Sequence, residues 1–115
     1  MAAQRYFLSI DDLAKARGQI DALSFHGESP QAFAAALQAA LRDPSLFQSW
    51  RALQPDPDAV DESLGATDAN ATVSASKHDL RTDIEATTSL PHSVLRHRLN
   101  LLVGKSWSLR DVAAG

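Results

Sequence analysis

Hydrophobic and polar positions change period several times along the chain, and each change predicts an element. In Arg5–Ile10 (RYFLSI), Tyr6, Leu8 and Ile10 alternate with Phe7 and Ser9, the period-two signature of a strand whose second face Phe7 partly covers. Asp11 and Asp12 follow as acceptors for the free amides of a helix start, so LAKAR reads as a short helical turn stopped by Gly18. Ala22–His26 (ALSFH), with Leu23 and Phe25 on one side, reads as a second short strand closing at Gly27.

The period then switches to 3.6. Phe33, Leu37 and Leu41 recur at four-residue spacing among alanines, behind Ser29 as cap and Pro30 at the first helical position. Asp43-Pro44 ends this helix, because the residue before proline avoids the α region. A second helix over Ser45–Leu53 is expected to bury Leu46, Trp50 and Leu53. Residues 54–70 carry two prolines and five carboxylates and offer only Val60 and Leu64 as sizeable apolar side chains. Such a segment is a long loop, expected to be mobile.

Period two returns after Ala71. TVSAS and LRTDIEA form a hairpin, with a turn near Lys77-His78-Asp79 and with Leu80, Thr82, Ile84 and Ala86 alternating against Arg81, Asp83 and Glu85. Ser89-Leu90-Pro91 opens a helix striped by Leu95, Leu99 and Leu102, for which Gly104 is the stop. SWSLRDV closes the series as a strand whose Trp107 needs burial and a partner for its N–H. The order β, helices, loop, β-hairpin, helix, β predicts an α+β fold. A small, mostly antiparallel sheet of four or five short strands carries helices on one face, and residues 1–115 make a single compact domain.

Charge adds an asymmetry to this outline. The whole chain carries a formal charge of −3, yet no Asp or Glu occurs from Ala86 to Arg110, where Arg96, Arg98, Lys105 and Arg110 stand beside His92 and His97. Asp43–Glu85 is the acidic counterpart, with nine carboxylates against Arg51, Lys77 and Arg81. The basic side chains His92, Arg96, His97, Arg98, Lys105 and Arg110 are therefore the candidate surface for an anion or an acidic partner. The competing interpretation is a solvated helix face. Arg98 lies three residues after Leu95, beside the core, while Arg96 and His97 turn away from it, so the cations spread round the helix.

Other chemistry is thinly represented. The absence of cysteine removes disulfides, thiolate catalysis and cysteine-ligated metals. His92 and His97 sit five residues apart, about 140° round a helix, which is not the spacing of a zinc pair. No phosphate-cradling glycine loop, dinucleotide fingerprint or nucleophile elbow occurs, so no cofactor is expected. An enzyme is the third reading: a triad or a His–Asp pair, such as His78 beside Asp79 or Asp83, would assemble in space, and His78 or His26 in a cleft within hydrogen-bond reach of a carboxylate would favour it. Neither a signal-peptide pattern nor an 18-residue uncharged apolar run is found; the alanine-rich chain is read as a bacterial cytoplasmic protein that binds no membrane.

The function expected from the sequence is a non-catalytic interaction or adaptor protein that binds another protein or a second copy of itself. Pairing of the last strand with its own copy would hide a sheet edge and cover Trp107. Nucleic acid or a phosphorylated ligand held by Arg96, Arg98, Lys105 and Arg110 is the alternative. Against it stand the net negative charge and the lone aromatic residue within the basic stretch.

Overall fold

The period-two segments pair with one another, and the period-3.6 segments cover one side of them. The computed structural model describes residues 3–114, in which β1 (Gln4–Ile10), β2 (Thr72–His78), β3 (Arg81–Thr88) and β4 (Trp107–Ala114) form an antiparallel sheet in the order β2-β3-β1-β4. Helices α1 (Pro30–Arg42), α2 (Ser45–Ala52) and α3 (His92–Val103) complete an α+β architecture.

Alternation decides which side chains reach the helices. Tyr6, Leu8 and Ile10 of β1 and Ile84 and Ala86 of β3 are buried, and register places Leu8 opposite Ile84 and Tyr6 opposite Ala86. Tyr6, Leu8, Ile10 and Ile84 pack with Phe33, Leu37 and Leu41 of α1 and with Leu95, Leu99 and Leu102 of α3, the two stripes expected from spacing. Among the described residues, the opposite sheet face carries no helix. Phe7, Asp83, Glu85, Ser74 and Ser76 lie there.

Local chemistry explains the ends of the helices. Ser29 accepts a hydrogen bond from the Ala32 amide and Pro30 occupies the first turn of α1. Gly104 ends α3 at φ 63°, and a side chain there would also meet the Arg17 carbonyl. The β2–β3 hairpin turns at Asp79-Leu80, with Asp79 in the left-handed region at φ 56°.

Three sequence expectations need correction. Ala22–His26 is not a strand: Asp21–Leu23 is a 3-10 turn, and the amide of Phe25 bonds the Leu102 carbonyl at 2.8 Å. The orphan carbonyls at the end of α3 take the hydrogen bonds that a neighbouring strand would have used. Gly18 does not stop a helix, because the preceding 3-10 turn is only Leu13–Lys15; an added Cβ would lie 2.2 Å from the Leu101 carbonyl oxygen. In α2 the buried residue is Phe47, and Leu53 is exposed, so the inward face is turned by roughly one residue step from the predicted one. Residues 54–70 have local structure of their own. They contain 3-10 turns at Pro57–Ala59 and Glu62–Gly65, and the Asp68 amide bonds the Leu41 carbonyl at 2.8 Å.

Candidate interaction surface at the sheet edge

The basic stretch divides when it folds. Arg98 is fully buried, which removes it from any surface for a partner. Its Nε donates to the Ala40 carbonyl at 3.1 Å, Nη2 to the Ala66 carbonyl at 3.1 Å and Nη1 to the Leu64 carbonyl, while its guanidinium carbon lies 5.5 Å from the Phe47 ring centre. A planar five-donor cation is suited to such divergent acceptors. Burial lowers its pKa from the ordinary value. Arg98 is thus a clamp that ties α3 to α1 and to the acidic loop through backbone oxygens.

His97 belongs to the same knot. Its ring lies edge-on to Trp50 at 4.4 Å and against Phe47 at 6.1 Å, and its Nε2 is buried without a hydrogen-bond partner among the described residues. Burial first, and the Arg98 charge second, hold its pKa below the ordinary histidine value. His92 stacks on Tyr6 at 6.0 Å. Arg96 and Lys105 remain exposed on α3 and just beyond it. Arg110 is exposed too, but it lines the groove on the helix-free face of the sheet. The six candidate residues therefore do not converge on one site.

The acidic segment spends its charges elsewhere. Arg51 of α2 faces Asp58 at 4.0 Å and Glu62 at 3.6 Å, pairs too exposed to contribute much stability. Asp68 instead fastens the end of the loop to the end of β3. Its carboxylate accepts from the Ser89 amide at 3.0 Å, the Thr88 hydroxyl at 2.8 Å and the Asn70 amide at 3.0 Å. The backbone bond from Ser89 leads in holding its pKa below the usual carboxylate value, which burial opposes.

His78 and Asp83 do approach each other, at 3.5 Å, and Ser76 Oγ lies 3.4 Å from the ring. Both contacts fall on the same Nε2, however. A nucleophile and an orienting carboxylate must use different ring nitrogens for the imidazole to relay a proton, so this cluster has the residue types of a triad without its geometry. Asp83 is also held by Arg81 at 3.1 Å. The neighbouring groove, about 560 Å³ in volume, is an open trough lined by Phe7, the serines of β2 and this mixed set of charges.

The two sheet edges differ. On the outer edge of β2, the Val73 amide donates to Gln38 Oε1 at 3.0 Å, and just before the strand Arg42 Nε bonds the Ala71 carbonyl at 2.6 Å, so α1 covers the start of this edge, while Ser74, Ser76, Lys77 and His78 beyond it are exposed. β4 pairs with β1 on one side and, among the described residues, has no neighbouring strand on the other. Along it every residue from Ser108 to Ala114 is exposed. Leu109 and Val112 are 41% and 39% exposed, and they are two of the four large hydrophobic residues exposed among the described residues. Trp107 anchors the start of the strand, half-buried against the core, with Nε1 donating to Asn100 Oδ1 at 2.9 Å.

No protein-family model, curated protein or solved structure matches the chain. The surface must therefore be interpreted from its own chemistry. Among the described residues, no helix is long and apolar enough to cross a membrane, and no three His, Asp or Glu side chains cluster as metal ligands would.

Period-two spacing was enough to indicate the last strand and the need to bury Trp107. The Arg98 clamp and the Asp68 cap were not visible in the sequence, since both bind acceptors or donors far along the chain. Proximity of Arg98 to the leucine stripe was the only local hint of its burial.

Proposed function

We propose a non-catalytic cytoplasmic interaction protein that joins another protein chain by strand addition at the outer edge of β4. One observation carries this reading: a strand of eight residues with a free edge exposes Leu109 and Val112 where an added strand would cover them. Main-chain hydrogen bonds supply affinity in such docking, and alternate side chains supply selectivity. The alternative, an anionic ligand gripped by the basic stretch, is less well supported. Arg98 is consumed inside the fold, and Arg110 lies on the sheet face opposite α3.

Site-specific photo-crosslinking in the source cells tests the proposal, with a crosslinker replacing Leu109 and, as controls, the still more exposed Leu53 and Leu80. A discrete protein adduct from position 109, absent from both controls, is expected. No adduct at 109, or the same products from all three positions, would refute docking at β4.

A further inference from the structure

We infer that the chain recognised by the β4 edge is a second copy of this protein, paired antiparallel about a two-fold axis between Arg110 and Asp111. The inference rests on the β4 reading above and adds the partner and its register. Its origin is the β-bulge. Phe7 of β1 lies opposite Asp111 while Leu8 lies opposite Leu109, so Arg110 is the extra residue.

That irregularity changes which faces the residues occupy. Trp107, Leu109 and Val112 stand opposite Ile10, Leu8 and Tyr6, on the helix side of the sheet. Ser108 and Asp111 stand opposite Ser9 and Phe7, on the helix-free side, where Arg110 also lines the groove. Read from Trp107 to Ala114, the faces run helix, free, helix, free, free, helix, free, helix. This order is the same in both directions. A regular strand with its two-fold axis between residues would set every side chain against one on the wrong face, because antiparallel partners must share a face. The bulge removes that conflict.

In the resulting register Leu109 meets Val112 of the second copy, Arg110 meets Asp111 and Ser108 meets Ala113. Two apolar pairs and two opposite-charge pairs form symmetrically. Moving the axis onto residue 110 would oppose arginine to arginine, and moving it onto 111 would oppose aspartate to aspartate. Like charges directly opposite are unfavourable, and both moves also break the match of faces away from the axis. Charged residues usually protect an edge strand from indiscriminate pairing. Here their order disfavours shifted registers of its own copy while accepting this one. In the single chain, Asp111 Oδ1 accepts from the Val112 amide at 2.8 Å, and Arg110 has no carboxylate within salt-bridge distance among the described residues.

A charge-swap experiment on the full chain tests the register. By sedimentation equilibrium the wild type is expected to pass from one 12.4 kDa chain to two as concentration rises, within the micromolar range of a small interface. Arg110→Glu and Asp111→Lys each place like charges across the axis and should each weaken self-association at least about tenfold. Mixed together, the two variants should recover association, because each then faces an opposite charge. Both changes are on an exposed edge, and circular dichroism is used to check that each variant is folded. A wild type still monomeric at about 1 mM, single variants that dimerise like the wild type, or a mixture no stronger than its components would each overturn the inference. A monomeric wild type whose position 109 crosslinks to a different protein would overturn self-recognition alone and leave β4 as the docking edge.

Discussion

Replacing Arg98 with methionine should cost about 3 kcal/mol of folding stability. Methionine fills much of the space of the arginine stem, so the loss is mainly one of hydrogen bonds. Three carbonyls lose charged donors, at roughly 1.5–3 kcal/mol each if every bond were lost without compensation. Leu64 and Ala66 lie in the solvent-facing loop, so their carbonyls regain water. Ala40 is buried, and its oxygen, bonded at 3.1 Å by Arg98 Nε, loses that side-chain donor. Relief from burying a cation whose bonds go to carbonyls and not to a carboxylate offsets part of the loss. With an unfolding entropy near 2.1 cal/mol/K per residue, 115 residues translate about 3 kcal/mol into a fall in Tm of about 12 °C. Urea and thermal denaturation measure the global effect. Amide exchange adds a local one: the Asp68 amide, bonded to the Leu41 carbonyl, should lose protection before the sheet does, because the loop is released first. Arg98→Lys should be no rescue, since a single ammonium cannot span three divergent acceptors. A methionine variant within about 1 kcal/mol of wild type, with Asp68 still protected, would refute the clamp.

Two further outcomes follow from buried contacts elsewhere. Because burial and Arg98 hold the folded-state pKa of His97 below its usual value, the unfolded chain takes up the proton first on acidification. The His97 contribution should be fully present above about pH 6.5 and decline as pH falls below it; urea midpoints of wild type and His97→Gln should converge on acidification, and a constant difference would refute this. Gly18→Ala forces a Cβ to within 2.2 Å of the Leu101 carbonyl oxygen and should cost about 2 kcal/mol or more by thermal denaturation. Gly27→Ala meets only the movable Phe25 ring and should cost less; equal losses would show that the backbone contact at Gly18 is not the cause.

The periodicities of Phe33-Leu37-Leu41, Leu95-Leu99-Leu102 and Tyr6-Leu8-Ile10 were sufficient to predict two helices, a strand and the α+β class. Burying those stripes leaves few alternatives for which side faces inward. Ser29-Pro30 and Gly104 similarly marked helix ends by local chemistry alone. Tertiary structure decided the rest, because the deciding partners are distant in sequence. Phe25 became an extended cap when its amide found the end of α3, 77 residues away in the chain. Phe47 displaced the predicted stripe of α2 when Arg98 and the acidic loop closed round it. Arg98 itself changed from a surface cation to an internal clamp for the same reason. The bulge at Arg110 exists only in the register of β4 against β1, a relation between two strands that neither strand specifies alone. Local sequence thus determined the elements and their apolar faces, whereas long-range hydrogen bonds and strand register decided which charges were buried and which edge was left free.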